Sequence, residues 1–172
     1  MAKRQSWKTQ PVPVLRVDLG FTQTYGPVDF ERITRGLIPQ GMDDKWFIYF
    51  EEPWLYLHRS WTGVCIYGVR FQPRADGFAA VGSWVNREEY LEDSIEYDRA
   101  ILSFLIDREL LGRTVPFPVR GDLPTDSPAG ALHNHPFGRA YPHSAFPAAP
   151  PTLALSERLR AWWSSISGGN GG

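Results

Sequence analysis

The residues His58-Arg59-Ser60-Trp61-Thr62 follow an apolar stretch and combine several kinds of chemistry in five positions. An arginine guanidinium offers a planar fork of donors to a phosphate or carboxylate, hydroxyl groups add donors, and an indole offers a face for stacking. A histidine beside them could hydrogen-bond a ligand or transfer a proton near neutral pH. We therefore predict a ligand site in which Arg59, Ser60, Trp61 and Thr62 bind and His58 acts as the acid/base.

The same residues are also typical of a hairpin turn. Serine, threonine and the following Gly63 are common in turns for reasons of local backbone chemistry. Arg59 could pair with Glu51 or Glu52, and Trp61 could belong to the core. Turn and ligand site therefore remain alternative interpretations of this stretch.

A second set of chemically capable residues lies near the C-terminus. His133 and His135 are one residue apart, and His143 follows closely. Imidazole nitrogens bind zinc, iron or nickel, so these three histidines are candidate metal ligands.

The string His133-Asn134-His135-Pro136, with Ser144 downstream, resembles the motif of the JAMM zinc-protease family. That motif continues as Ser-x-x-Asp, and here Pro147 stands where the carboxylate ligand is expected. The resemblance covers about a dozen residues and implies a metal-dependent hydrolase, in which His143 would have to replace the missing ligand.

The central part of the chain predicts the sheet that must position the first site. Breaker residues divide it at Glu52-Pro53, at 60–63 and at 73–77. Connections this short join only antiparallel neighbours, because a parallel crossover needs a dozen or more residues. We predict a four-stranded meander over 45–85, with strands near 45–52, 54–59, 64–72 and 78–85.

Helices flank this meander in the sequence. Alternation over 12–19 predicts an N-terminal strand, and Pro27 begins a short helix that Gly36 ends. A broad apolar stripe predicts a longer helix from Ser94 to Gly112, and the acidic residues of 88–98 complement its N-terminal dipole. The fold class is therefore α+β: a mainly antiparallel sheet with helices packed on it.

Both faces of the predicted sheet are apolar. Phe47 and Tyr49 point one way, whereas Trp46, Ile48 and Phe50 point the other. The long helix can cover one face. The other face must be covered by the N-terminal elements, the C-terminal segment or a second copy of the chain.

Composition then changes along the chain. We expect an α+β domain over 1–122, a Pro-rich extended segment over 123–151 and a C-terminal helix with a Gly-rich tail over 152–172. The middle segment has seven prolines in 29 positions and three of the four histidines. The last carries Trp162-Trp163 on a helical pattern, which suits a core or partner contact.

Charge and composition narrow the function classes. The 172 residues carry 18 basic and 19 acidic side chains, so a strongly basic nucleic-acid module is excluded and specific nucleic-acid binding is not expected. A single cysteine excludes an intramolecular disulfide. No membrane-spanning run and no secretory signal are present in the sequence, which predicts a cytoplasmic protein.

Three hypotheses follow. The first is a domain that binds a small phosphorylated or anionic molecule, such as a nucleotide, through residues 58–62, with hydrolase-type chemistry at His58. The alternative is a non-enzymatic interaction module, homodimeric or bound to a protein partner through its two-sided sheet. The third is metal-dependent hydrolysis at His133, His135 and His143. No motif implies a particular cofactor.

Overall fold

The computed structural model describes residues 1–41, 43–88 and 94–118. The predicted Pro-rich segment 123–151, with its three histidines, and the predicted segment 152–172 lie outside the described residues.

The described chain forms an N-terminal single-turn 3-10 helix, six strands and two helices, the second of which ends in a π-helical turn. In chain order they are the 3-10 turn Arg4–Ser6, β1 Arg16–Asp18, β2 Thr24–Tyr25, α1 Pro27–Arg35, β3 Trp46–Glu51, β4 Trp54–Arg59, β5 Cys65–Arg74, β6 Gly77–Asn86, α2 Ile95–Leu105 and the π-helical turn Ile106–Leu110.

The strands form one antiparallel sheet in the order β1-β6-β5-β4-β3, and β2 also pairs with β6. Strands β3 to β6 pair consecutively, as short connections require. The α+β class and the four-stranded meander are therefore confirmed.

The N-terminal strand is shorter than its sequence pattern predicts. Of the three apolar residues on its predicted inner side, Leu19 is buried but Leu15 and Val17 are exposed. Strand β1 covers three residues and pairs only with β6 at the sheet edge. The two-residue strand β2 has no counterpart in the prediction, because a stretch so short carries no periodicity.

One face of the sheet, here called the core face, packs against both helices. Phe30 of α1 stacks on Phe78 at 3.8 Å between ring centroids and meets Phe71 edge-on at 5.2 Å. Ile101 and Leu102 of α2 are fully buried in the same cluster. Ser94 begins α2, as predicted, because its hydroxyl accepts the Tyr97 backbone N–H at 3.2 Å.

The opposite face, here called the outer face, is covered over one half by the N-terminal arm. Phe47 and Tyr49 pack with Ala2 of the N-terminal arm, whose backbone N–H donates to the Arg35 carbonyl at 2.7 Å. The prediction that the N-terminal elements help to cover a second apolar face is confirmed for this half. The rest of this face carries Trp54 and Tyr56, which are partly buried, and Trp84, which is buried.

Candidate functional site

The predicted site lies at the end of the sheet where β4 turns into β5. The Arg59 N–H donates to the Val64 carbonyl and the Gly63 N–H donates to the Arg59 carbonyl, each at 2.8 Å. Gly63 has a φ of +79°, a conformation that favours glycine. The turn 60–63 is therefore a closed hairpin connection with a fixed backbone.

The N-terminal arm (residues 1–10) lies against this turn. The Gln10 N–H donates to the Gly63 carbonyl at 2.8 Å, and the Trp7 indole N–H donates to the Ser60 carbonyl at 2.7 Å. The Gln10 amide also donates to the Thr62 carbonyl at 3.2 Å. The arm and the turn thus form one hydrogen-bonded unit.

The two hydroxyl side chains of the predicted site make local contacts. The Ser60 hydroxyl donates to the Asp44 carbonyl at 2.6 Å, and the Thr62 hydroxyl accepts the Val64 N–H at 3.3 Å. Ser60 is buried, so in this arrangement its hydroxyl holds the chain that precedes β3.

His58 and Arg59 lie on opposite faces of the sheet, because consecutive strand side chains alternate. His58 lies on the outer face, across from Phe47, and its ring stacks on Tyr49 at 5.4 Å. Arg59 lies on the core face, across from Trp46. The side chains of His58 and Arg59 therefore lie on opposite faces of the sheet, although both residues contact the turn.

His58 is 1% exposed and its ring is held by the turn. Its Nδ1 lies 2.8 Å from the Gly63 carbonyl, and because a carbonyl only accepts, Nδ1 carries the proton. Its Nε2 is buried and has no hydrogen-bond partner among the described residues. Burial lowers the pKa of His58, so the ring is neutral at pH 7.

Two cations lie over two indole rings beside the turn. The Arg59 guanidinium carbon is 4.3 Å from the centroid of the Trp46 ring, and Lys45 Nζ is 4.4 Å from that of Trp61. Arg59 is 7% exposed, whereas Trp61 is 39% exposed. Burial first, and then the positive charge of Arg59, lower the pKa of Lys45. We call this group the cation–indole cluster: Lys45, Trp46, Arg59 and Trp61.

A buried polar group adjoins this cluster on the core face. The Tyr67 ring stacks on Trp46 at 6.0 Å, and its hydroxyl donates to Asp98 Oδ1 at 2.9 Å. Arg87 donates to the other carboxylate oxygen at 2.5 Å, and within the part of the chain that the structure describes its buried Nη1 has no hydrogen-bond partner. The sheet end therefore holds three cationic side chains and one buried carboxylate.

Sequence reasoning missed part of this arrangement. Asp98 was predicted to complement the helix dipole, yet it is fully buried and bonds Tyr67 and Arg87. Its position in the apolar stripe, between Ile95 and Ile101, is the signal that could have identified it.

Comparison with protein-family models, curated proteins and solved structures finds no match for this chain. Within the three described ranges, no helix is both long enough and apolar enough to cross a membrane. The same residues include no group of three histidine, cysteine, aspartate or glutamate side chains placed to hold a metal ion.

Proposed function

We propose that this domain binds a small anionic molecule, a phosphate ester such as a nucleotide, at the cation–indole cluster. The observation that carries the proposal is the position of Lys45 and Arg59 over two indole rings at one end of the sheet. Each cation lies over an indole, and Arg59 lies near enough to lower the pKa of Lys45. Asp43 acts on Lys45 in the opposite sense and raises its pKa, so one carboxylate already lies near this cation, and a bound anion would add to the same favourable interaction.

The two cations have different exposures and therefore different roles in the proposal. Lys45 is partly exposed and would contact the anion directly. Arg59 is almost buried, and solvent screens its charge only weakly there. Its positive charge would therefore attract the anion without contacting it. A planar group attached to the phosphate would stack on the exposed face of Trp61.

The proposal concerns binding and assigns no reaction. His58 was predicted as the acid/base, and its ring here bonds the Gly63 carbonyl on the other side of the sheet. In the proposed site His58 is a positioning residue. Its ring bonds the Gly63 carbonyl, which also accepts the Gln10 N–H, and these bonds hold the turn that carries Trp61.

The test is a titration of the full chain with inorganic pyrophosphate and with a nucleoside triphosphate, followed by calorimetry and tryptophan fluorescence. We expect Lys45→Met to weaken both ligands about tenfold or more, because a charge-assisted contact is lost. Trp61→Leu should weaken the nucleotide and leave pyrophosphate unchanged. Arg74→Met, at the far end of β5, changes the net charge equally and is the control.

Two results would refute the proposal. One is an absence of binding by the unaltered chain at millimolar ligand. The other is equal affinity in the unaltered chain and in the Lys45→Met variant, with both folded by circular dichroism.

The alternative function, a protein-interaction module, is supported by a separate observation. Trp54 and Tyr56 on the outer face are each only partly buried. Aromatic side chains of this kind are enriched in interfaces. A homodimer would be shown by light scattering of the full chain at increasing concentration, and a monomer throughout would remove that version.

A further inference from the structure

Strand β1 forms one edge of the sheet, and among the described residues no strand pairs with its outward side. It lies at the opposite edge from β3, and therefore away from the cation–indole cluster. All three of its residues, Arg16, Val17 and Asp18, are exposed. Just before it, Val14 is 90% exposed and Leu15 is 56% exposed. An exposed sheet edge that carries apolar side chains can pair with a strand of another chain.

The hydrogen bonds to β6 show which backbone groups of β1 point outward. The Arg87 N–H, just after β6, donates to the Leu15 carbonyl at 3.0 Å. Residues of an antiparallel strand alternate in the direction of their backbone groups, so Val17 also bonds β6. The N–H and C=O groups of Arg16 and Asp18 therefore point away from β6, toward the open side of the strand.

Two carboxylates fix the chain at either end of β1. Glu88 Oε1 accepts the N–H groups of Val14 and Leu15 at 2.7 and 2.8 Å. Asp18 Oδ1 accepts the N–H of Gly20 at 2.8 Å. The strand is thus held in place before any partner binds, which lowers the entropy cost of pairing with it.

The charges of β1 are complementary to those of a second copy that runs in the opposite direction. When two copies pair antiparallel about Val17, Arg16 of each lies across from Asp18 of the other. These are the residues whose backbone groups point outward, so one register forms both the backbone hydrogen bonds and two ion pairs. Arg16 lies over the Trp84 ring, 5.4 Å from its centroid, on the face of the sheet that Asp18 shares.

The apolar residues of the edge fit the same register. Val17 would meet Val17 of the second copy at the centre of the pairing, a position without backbone hydrogen bonds between the two strands, where side chains approach most closely. Leu15 lies on the same face as Val17, two residues along, and would extend this apolar contact. Both side chains are exposed in the single chain.

From these observations we propose that two copies of this chain associate through β1, by antiparallel pairing of Arg16–Asp18 about a two-fold axis at Val17. The pairing joins the two sheets into one. A charge pattern that is its own complement favours a second copy over an unrelated strand, because a two-fold interface presents the same patch on both sides.

The experiment measures association of the full chain by sedimentation velocity from about 10 μM to about 1 mM, since small interfaces associate weakly. We expect a monomer–dimer equilibrium for the unaltered chain. Arg16→Asp places carboxylates across from each other at both ends of the pairing, and Asp18→Arg places guanidinium groups there. Each variant should associate about tenfold more weakly or less, because like charges across an interface repel.

An equimolar mixture of the Arg16→Asp and Asp18→Arg variants provides the decisive sample. In a mixed dimer every carboxylate again lies across from a guanidinium, so association should return toward that of the unaltered chain. The double variant Arg16→Asp/Asp18→Arg is again its own complement and should also associate. Recovery in either sample shows that the single variants are folded, which circular dichroism checks independently.

Matched controls make the same changes of charge at the exposed turn between β5 and β6. Arg74→Asp and Asp76→Arg should leave the association of the chain unchanged.

Three results would overturn the proposal. One is a monomer at every concentration, whether the edge is then open or paired with another part of the chain. Another is a dimer of equal affinity in both single variants, since it would use another surface, such as the outer face. The third is loss of association in both single variants without recovery in their mixture, because the charges would then not pair across the interface.

Discussion

The indole ring of Trp84 lies directly against the backbone of Gly68, its partner across β5 and β6. A β-carbon built on Gly68 would stand 2.4 Å from Trp84 Cε2, far inside van der Waals contact. The missing side chain at position 68 therefore allows the indole to lie across the outer face, next to Trp54 and Tyr56.

Gly68→Ala should destabilise the protein because either the indole or the strand must move. We expect the free energy of unfolding to fall by about 2 kcal/mol, as is usual when atoms are forced into a packed position. Denaturant unfolding followed by circular dichroism measures it. Gly82→Ala is the matched control, since a β-carbon there would meet only Arg70 Cβ at 3.8 Å. Equal loss in both variants would show that Gly68 has no special role.

Asp98→Asn should be more damaging than its small change in volume suggests. The substitution removes the buried negative charge that accepts hydrogen bonds from Tyr67 and Arg87. The Arg87 guanidinium then lacks the opposite charge of Asp98. Breaking one side of a buried pair costs about 3 kcal/mol or more. Tyr67→Phe removes one hydrogen bond and should cost about 1 kcal/mol.

Glu96→Gln in the exposed first turn of α2 provides the comparison for Asp98. It should change the midpoint of urea unfolding very little, because a carboxylate near a helix N-terminus contributes only about 0.3–1 kcal/mol. If Asp98→Asn behaved like Glu96→Gln, the buried carboxylate would not stabilise this end of the sheet.

The meander could be predicted because its connections leave no alternative. Glu52-Pro53, the turn 60–63 and the turn 73–77 divide apolar segments that no crossover could join in parallel. The strand β2 could not be predicted, since its two residues pair with β6 only after the rest of the sheet exists.

The candidate site was only partly predictable, for a related reason. Position in the sequence placed His58 next to Arg59, but strand alternation separates their side chains by the thickness of the sheet. Arg59 meets Trp46 across the β3–β4 pairing, which depends on register and not on distance along the chain. The apolar stripe of α2 indicates that Asp98 faces inward, but its partners Tyr67 and Arg87 depend on where α2 packs, and no local pattern fixes that.

His58 should make stability depend on pH in a defined direction. Burial holds its folded-state pKa below the ordinary value of 6.5, so folding favours the neutral ring. The contribution of the neutral His58 ring to stability is complete above pH 6.5. It is lost as the pH falls from 6.5 toward the folded pKa, because the unfolded chain then binds a proton that the folded chain does not. We expect the free energy of unfolding to fall more steeply between pH 7.5 and 5 in the unaltered chain than in His58→Gln. The comparison isolates His58 from His133, His135 and His143. Parallel pH profiles would contradict the burial argument.

Gly63→Ala should both strain the turn and release the N-terminal arm. A residue other than glycine at a φ of +79° costs about 1–2 kcal/mol, and a β-carbon here would also stand 3.1 Å from the Lys8 carbonyl oxygen. Because Gln10 bonds the Gly63 carbonyl and Trp7 bonds that of Ser60, a displaced turn loosens the arm. Trypsin should therefore cut after Lys8 faster in this variant, while Gly41→Ala, where a β-carbon meets nothing within 4 Å, should leave the rate unchanged. A variant that lost stability without faster cleavage at Lys8 would show that the arm is held by Ala2 and its neighbours and not by the turn.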